Sequence, residues 1–301
     1  MAEYDLQYRR NLIEILNSGQ DCPDRTGTGV RKIFDANMNT DASPTEGDRL
    51  RLPALTLRKV FPRSAWYELL WMLRGSTDAT ELQNKRIKIW DGNTSREYLD
   101  SIGLNDVETG HGGKIYGYQF RNFNGSVDQV KNVIESIKTN PNGRRHYISL
   151  WNPSELGESA LPPCHVSYQF VVMGDTLNLK YYMRSNDFML GQPMNQMFAT
   201  FFLQLMASIT GYQAGRVAVS IADCHLYHNH LDAARVVAER PPIEHVTSYS
   251  PPFSKEMYDE MGLDAMLDSL FFDCSWENVI APSLDYQSHD KIDPSLLKMA
   301  V

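Results

Sequence analysis

The sequence predicts an α+β fold in a single domain that extends over residues 1–301. Segments with apolar residues at helical spacing alternate irregularly with segments rich in β-forming residues. The longest apolar segment, residues 194–210, has the aromatic and aliphatic density of a long helix buried at the centre of a domain. The sequence contains no internal repeat, low-complexity tract or linker, which favours one domain over two.

The first elements are predicted to be a helix, a polar loop and a strand. Residues 4–18 carry leucine and isoleucine at roughly helical spacing and stop at Gly19, so they predict a helix. Residues 24–29 form a polar loop with two glycines before a predicted strand at 30–38. The glycine spacing of this loop matches neither a Walker motif nor a dinucleotide-binding motif.

A second predicted helix contains a carboxylate among large apolar side chains. Residues 64–74 have amphipathic spacing, and Glu68 stands in their middle among tryptophans and leucines. A carboxylate in these surroundings is either a surface residue or a buried functional one. The segments that follow are predicted to be a polar loop at 93–113, a helix at 125–139, a turn at 140–143 and a strand at 144–151.

Residues 166–183 predict two strands joined by a tight turn at 174–175. If those two residues form the turn, Cys164 lies opposite Ser185 and next to Arg184. A bulge or a longer loop would shift this register by one residue. The hairpin therefore predicts a cysteine beside an anion-binding arginine.

After the central helix, a strand near 216–221 is predicted to lead into the sequence HLYHNH at 225–230. A helix that ends at Arg240 follows this sequence. Beyond Pro241 the chain is predicted to be irregular.

Composition excludes several classes of protein. The formal net charge of −8 argues against nonspecific nucleic-acid binding, so a phosphate ligand would need a local basic pocket. The sequence has no apolar run of membrane-spanning length and no signal-peptide pattern, so we expect a cytoplasmic protein, in the host cell if virus-encoded. The scattered cysteines, without CxxC pairs or histidines at zinc spacing, predict neither a disulfide framework nor a metal site; they are Cys22, Cys164, Cys224 and Cys274.

Ordered motifs along most of the chain carry a resemblance to a known family. The chain resembles the thymidylate synthases and the related hydroxymethylases of pyrimidine nucleotides, and the similarity is thin only at about 241–297. Each motif alone is weakly informative, whereas the ordered set is specific. The set comprises DRTGTG at 24–29, ELLW at 68–71, IWD at 89–91, YG at 116–117, RR at 144–145, PCH at 163–165, RS at 184–185, Asp187, Asn195, HLY at 225–227 and MAV at 299–301.

The resemblance implies an α+β domain whose mixed β-sheet is a dimerisation layer, packed by helices that include the long central one. It implies a methyltransferase that moves a one-carbon unit from 5,10-methylenetetrahydrofolate to C5 of dUMP and yields dTMP. Because C5 of uracil is a poor nucleophile, a thiolate must first add to C6. Cys164 is the predicted nucleophile, with its pKa lowered by Arg184, although a lone cysteine is more often a small buried residue.

The resemblance also implies roles for residues around Cys164. Asn195 is expected to pair with O4 and N3–H of uracil, where an aspartate would favour cytosine. Glu68 and Tyr116 are expected to serve proton transfers, and Asp187 to hydrogen-bond the pterin of the folate. The remaining expected contacts are Arg25, Arg184 and Ser185 with phosphate, Arg144 and Arg145 with phosphate from the partner of a homodimer, His225 and Tyr227 with the sugar, and Ile89, Trp90, Leu190 and Val301 with the folate.

Several of these residues have simpler interpretations when they are taken alone. Adjacent arginines after a turn are usually a solvated surface pair, and Trp90 alone is more often a core residue. His225 and Tyr227 alone could be core residues with satisfied polar groups. The functional interpretation depends on the whole set of motifs.

Departures from the family pattern leave the product open. Met183, Met194 and Gln196 replace residues typical of synthases, and residues 183–187 resemble virus-encoded hydroxymethylases. The exocyclic methylene on C5 takes either a hydride, giving dTMP, or water, giving 5-hydroxymethyl-dUMP, and exclusion of water favours the hydride. We expect reductive methylation, because Trp90 and the C-terminal motif are retained.

Two other classes of function are weaker. A catalytically silent nucleotide-binding or RNA-binding protein would not need Cys164, Glu68 and Asn195 together. A cysteine hydrolase that pairs Cys164 with His165 is disfavoured, since adjacent residues of a strand point to opposite faces.

Overall fold

The computed structural model describes residues 3–297, in which helices pack against a central sheet. Within these residues, no helix combines the length and apolarity needed to span a bilayer. The helices are α1 (Glu3–Ser18), α2 (Pro62–Leu73), α3 (Thr80–Asn84), α4 (Arg96–Ser101), α5 (Tyr116–Arg121), α6 (Gln129–Thr139), α7 (Gly191–Thr210), α8 (Leu231–Glu239) and α9 (Lys255–Asp268). The strands are β1 (Gln20–Cys22), β2 (Val30–Asp41), β3 (Leu50–Arg51), β4 (Tyr147–Ser149), β5 (His165–Met173), β6 (Thr176–Asp187), β7 (Gln213–Tyr227) and β8 (Ser248–Tyr249).

The central sheet is mixed, as the resemblance implied. Its strand order is β1-β2-β7-β6-β5-β4. Strands β6 and β7 run parallel, whereas all other neighbours in this sheet are antiparallel. Strands β3 and β8 form a separate two-stranded ladder. A mixed sheet packed by helices confirms the α+β class.

The predicted central helix is present as α7, which begins at Gly191 rather than at Met194 and ends before Gly211. Gly211 has a φ of 80°, the left-handed conformation that glycine adopts at little cost after a helix. Helix α7 packs against α2, β6 and β7, which explains why its sequence is mostly apolar around its whole circumference. Phe202 of α7 is fully buried between three aromatic rings: Phe120, Tyr168 and Phe170.

The hairpin of β5 and β6 has the predicted two-residue turn at 174–175. A register shift at Val166 gives β5 one extra residue, which is a β-bulge. The backbone N–H of Arg184 consequently donates to the carbonyl of Cys164 at 3.1 Å, so these two residues lie opposite each other. The predicted pairing of Cys164 with Ser185 was therefore wrong by one residue.

Two predicted segments differ because of local caps. Helix α6 begins at Gln129 rather than at 125, since the carboxylate of Asp128 accepts from the backbone N–H of Lys131 at 3.0 Å. The predicted loop at 93–113 contains α4, which is capped in the same way by Ser95. The polar, glycine-containing segment was predicted as a loop although it contains a short helix, because the capping residue itself adds to its polarity.

Two strands differ in length from the ranges predicted for them. Strand β4 covers only three residues of the predicted 144–151. Strand β7 extends well beyond the predicted 216–221, because it pairs with β2 on one side and β6 on the other up to its polar end. His225 and Tyr227 are therefore on a strand of the central sheet.

The region beyond Pro241 is not irregular throughout, contrary to the prediction. It contains α9 and two short π-helical segments at 269–273 and 276–280, where Trp276 is buried. Helix α9 is interrupted at Gly262, whose φ is 75°. An interrupted helix shows no continuous apolar stripe, so the periodic signal was missing from the sequence.

Replacing Phe202 with alanine is predicted to lower the free energy of unfolding by about 3–5 kcal/mol, because it leaves a cavity between rings that cannot close up. Denaturant unfolding at fixed protein concentration measures this loss. The matched control is Phe61→Ala, at a ring that is 57% exposed, with an expected loss of about 0.5 kcal/mol or less. Equal losses in the two variants would contradict the assignment of α7 to the core.

Candidate active site

A cavity of about 960 Å³ lies where the polar ends of β6 and β7 meet the first turn of α7 and the middle of α2. Its size is in the range of cavities that enclose small-molecule ligands. It brings together most of the residues singled out in the sequence. Those that line it are Arg25, Glu68, Ile89, Trp90, Tyr116, Cys164, Arg184, Ser185, Asp187, Asn195, His225 and Tyr227.

Cys164 lies immediately before β5 and is half-buried in the cavity wall. Its backbone N–H donates to the hydroxyl of Tyr116 at 2.7 Å, and Nη2 of Arg184 is 3.9 Å from its Sγ. Burial raises the pKa of the thiol, and the Arg184 charge offsets this only in part. Arg184 thus lowers the pKa of the thiol as expected, but the larger effect of burial leaves the net pKa raised.

The guanidinium of Arg184 is held in place by backbone carbonyls. Its Nε donates to the carbonyl of Pro163 at 2.8 Å and its Nη2 to that of Pro162 at 2.9 Å. The guanidinium also lies over the ring of Trp151, 5.5 Å from the centroid. Sequence reasoning missed Trp151, because nothing in its local sequence separates a cation–π partner from a core residue.

Glu68 is not on the outer surface of its helix: its side chain is half-buried and lines the cavity, as the functional interpretation requires. Burial raises its pKa to about 7, and a hydrogen bond from Nε1 of Trp90 to its Oε1, at 2.9 Å, opposes that rise. Trp90 packs in turn against Trp71 and edge-on against Tyr116. A carboxyl with a pKa near neutrality is suited to take up and release protons.

Asn195 lies on α7, one turn after its start, and its amide contacts two side chains. Its Nδ2 lies 3.6 Å from Sδ of Met183, and its side chain hydrogen-bonds His165. Burial lowers the pKa of His165 to about 4, so its ring is neutral, and its Nδ1 contacts the hydroxyl of Tyr168. A neutral imidazole committed to these partners is a poor base for Cys164, which argues against a cysteine hydrolase.

The departure at Gln196 does not reach the cavity. Its side chain is fully buried, accepts from the hydroxyl of Tyr181 at 3.0 Å and donates to Thr40 at 2.7 Å. Met183, by contrast, lines the cavity together with Asn195. Its sulfur contacts the amide of Asn195, so this replacement is placed to influence that amide.

Asp187 orders the turn before α7. Its Oδ1 accepts from the backbone N–H groups of Met189 and Leu190, each at 3.0 Å. These bonds fix the turn that connects β6 to α7, and the side chain still lines the cavity. Leu190 is half-buried and is not among the described residues that line the cavity.

The loop at 24–29 presents Arg25 to the cavity. The carboxylate of Asp24 accepts from the backbone N–H groups of Thr26, at 2.8 Å, and Gly29, at 2.6 Å, which fixes the loop. Gly29 has a φ of 80°, and a Cβ there would lie 2.5 Å from Nδ1 of His228, so only glycine fits.

Two of the expected phosphate contacts, both arginines, lie outside the cavity. Arg144 and Arg145 are exposed between the 140–143 turn and β4, outside the cavity. Val301 lies outside the described residues.

Comparison with known proteins adds independent information. The chain matches the sequence model of the family described as thymidylate synthase over residues 6–296. It is 38% identical over 250 residues to thymidylate synthase of Homo sapiens, covering 79% of this chain and 78% of that protein. It is 39% identical over 248 residues to thymidylate synthase 1/2 of Encephalitozoon cuniculi, covering 78% of this chain and 82% of that protein.

A fission-yeast relative is longer. The probable thymidylate synthase of Schizosaccharomyces pombe is 41% identical over 258 residues, covering 78% of this chain. The aligned region is 40% of that protein, so this chain spans less than half of its length.

The raised pKa of Glu68 predicts a measurable pH dependence of stability. Because the folded pKa of about 7 is above the ordinary 4.5, the stabilisation is fully present below pH 4.5 and is lost as the pH rises through 7. The free energy of unfolding of the wild type, relative to Glu68→Gln, should therefore fall across this window. A flat difference would contradict the burial of the carboxyl.

Trp90→Phe is predicted to raise the pKa of Glu68 further, because it removes the indole N–H that stabilises the carboxylate. Infrared titration of the carboxyl band, assigned by its loss in Glu68→Gln, measures the midpoint. Trp276→Phe, a buried tryptophan of the C-terminal region, is the control and should leave the midpoint unchanged.

Proposed function

The chain belongs to the thymidylate synthase family, and on that basis we propose that it methylates C5 of dUMP reductively, using 5,10-methylenetetrahydrofolate, to give dTMP. The observation that carries this proposal is the contact of Cys164 with Arg184 in a cavity that Asn195 and Glu68 also line. A nucleophile, a cation, a base-reading amide and a proton carrier thus line one cavity. Each supplies a step that the reaction needs.

The proposed nucleophile is Cys164. Addition of its Sγ to C6 of uracil moves ring electrons toward O4 and makes C5 nucleophilic. Burial keeps the thiol protonated in the protein alone, so the reaction requires stabilisation of the thiolate as it forms. Arg184, fixed by two prolyl carbonyls, supplies that positive charge without rearrangement.

Asn195 is the proposed reader of the base. Its amide offers one donor and one acceptor, which match O4 and N3–H of uracil. Glu68, with a pKa of about 7, serves proton transfer at O4, and the Tyr116 hydroxyl assists removal of the C5 proton. The Tyr116 hydroxyl already accepts from the Cys164 backbone, so it lies beside the carbon that the thiol attacks.

The nucleotide phosphate is proposed to bind Arg25, Arg184 and Ser185, since guanidinium groups match a dianion in charge and geometry. His225 and Tyr227 are proposed to bind the sugar 3′-hydroxyl. All five line the same wall of the cavity, along β6, β7 and the loop before β2.

The folate fits the apolar part of the cavity, where Ile89 and Trp90 offer flat and aliphatic surface. When bound, it supplies the one-carbon unit and the hydride. Asp187 is proposed to hydrogen-bond the pterin. Leu190 remains a proposed contact that would require the folate to extend beyond the cavity lining described above. Val301 also remains a proposed contact.

Reductive methylation is favoured over hydroxymethylation. The relatives above carry the name thymidylate synthase. Gln196, one of the departures from the synthase pattern, points into the core and away from the cavity. The apolar wall formed by Ile89 and Trp90 limits water beside the reacting carbon.

The proposed functional unit is a homodimer in which Arg144 and Arg145 complete the partner's phosphate site. One face of the sheet exposes large apolar side chains that a second copy would cover. These are Val171, Met173 and Tyr182. A cytoplasmic location stays a prediction.

The direct test is incubation of the protein with dUMP and 5,10-methylenetetrahydrofolate. The expected products are dihydrofolate, followed by absorbance, and a nucleotide heavier by one CH2 group in the mass spectrum. A nucleotide heavier by CH2O, with no dihydrofolate, would show the hydroxymethylase instead.

Asn195→Asp is predicted to shift base preference from dUMP toward dCMP, because a carboxylic group suits the exocyclic amine of cytosine. The expected change in the ratio of the two kcat/KM values is about 100-fold or more. Asn178→Asp, at a strand position outside the cavity, is the matched control. An unchanged ratio in Asn195→Asp would remove this residue from the base site.

The double variant Arg144→Ala/Arg145→Ala and the single variant Cys164→Ser are each predicted to be nearly inactive. Mixing the two variant proteins is predicted to restore activity. In a mixed dimer one cavity retains both its own Cys164 and the arginines of the partner. Equal mixing after dissociation should restore about a quarter of wild-type activity per site, since half of the dimers are mixed and each has one intact cavity. No restoration, with mixed dimers verified by mass, would contradict donation across the interface.

A further inference from the structure

Lys32 lines the cavity, and the proposed reaction assigns it no role. It stands on β2 directly opposite His225 on β7. Its Nζ donates to Oδ2 of Asp223 at 2.6 Å, and Oδ1 of Asp223 accepts from Nδ1 of His225 at 2.8 Å. Asp223 thus bridges a cation and an imidazole in one continuous array.

Asp223 determines which ring nitrogen of His225 carries the proton. The hydrogen bond from His225 lowers the pKa of Asp223 to about 2 against the opposing effect of burial, and Lys32 adds to the lowering. An ionised carboxylate offers only acceptors, so Nδ1 is protonated and Nε2 is left for a ligand. The ring of Tyr227 lies edge-on to the imidazole at 5.3 Å, which further restricts its orientation.

We propose that Lys32 is a positioning residue of the sugar subsite, which holds Asp223 so that His225 presents Nε2 to the nucleotide 3′-hydroxyl. This inference rests on the proposed function, in which His225 contacts the sugar. Lys32 acts through Asp223 and does not touch the reacting atoms.

The charge balance separates this role from phosphate binding. The ammonium of Lys32 is matched by the carboxylate of Asp223, so the pair brings no net charge to the cavity. The Arg184 guanidinium, by contrast, is held by neutral carbonyls and keeps its full positive charge for an anion. A neutral array that ends in an imidazole suits a hydroxyl.

A comparison of two substrates tests the inference. kcat/KM is measured at saturating 5,10-methylenetetrahydrofolate for dUMP and for 2′,3′-dideoxyuridine monophosphate, which lacks only the 3′-hydroxyl. Lys32→Met is expected to lower kcat/KM for dUMP about three- to tenfold, mainly through KM, since the lost ion pair is partly exposed. For the dideoxy nucleotide it should stay within about twofold of the wild type, because the affected contact is missing there.

Two further variants sharpen the comparison. Lys32→Arg keeps the ion pair and should retain at least about half of the wild-type kcat/KM for dUMP. Lys138→Met removes a lysine on α6, outside the cavity, and should change neither value. If circular dichroism shows that Lys32→Met is unfolded, Lys32→Gln takes its place.

Loss by the same factor on both nucleotides, or no loss on dUMP, would overturn the role of Lys32. These outcomes leave the proposed function intact as long as the wild type converts dUMP and discriminates against the dideoxy nucleotide. A wild type that treats both nucleotides alike would overturn the sugar assignment of His225 together with this inference. A wild type that converts neither would overturn the proposed function itself.

Discussion

The site depends on the contact between the sulfur of Cys164 and the guanidinium of Arg184. The β-bulge at Val166 sets this contact, because it moves Cys164 opposite Arg184. The carbonyls of Pro162 and Pro163 then hold the guanidinium, so the chain that delivers the cysteine also positions its cation. A pre-positioned charge stabilises a forming thiolate without the cost of reorganisation.

Burial has opposite effects on the titratable groups of the cavity. It raises the pKa values of Glu68 and Cys164, whose charged forms are anions, and it lowers that of His165, whose charged form is a cation. At neutral pH the thiol and the imidazole are therefore uncharged, whereas Glu68, with a pKa of about 7, is divided between its protonated and ionised forms. The same buried surroundings strengthen the electrostatic interactions of any charge that develops during a reaction. The fixed guanidinium of Arg184 therefore stabilises a forming thiolate more effectively.

The sequence was sufficient for the helices with continuous apolar periodicity and for the two-residue turn of the hairpin. It could not locate the bulge at Val166, since register depends on tertiary pairing, nor the interrupted helix around Gly262. The cavity residues were identified mainly from motifs, and most of them do meet in space. Trp151, Lys32 and Asp223 were missed because they act on other side chains, and the sign of the Cys164 shift was missed because burial is not visible in a sequence.

The central claim is that Cys164 forms a transient covalent bond to C6 of the pyrimidine. The most direct measurement is mass spectrometry of the protein after incubation with 5-fluoro-dUMP and 5,10-methylenetetrahydrofolate, because fluorine at C5 blocks release of the adduct. We expect a stable adduct of protein, nucleotide and folate, with the modification on the peptide that contains Cys164. An unmodified Cys164, in a preparation that binds both compounds, would contradict it.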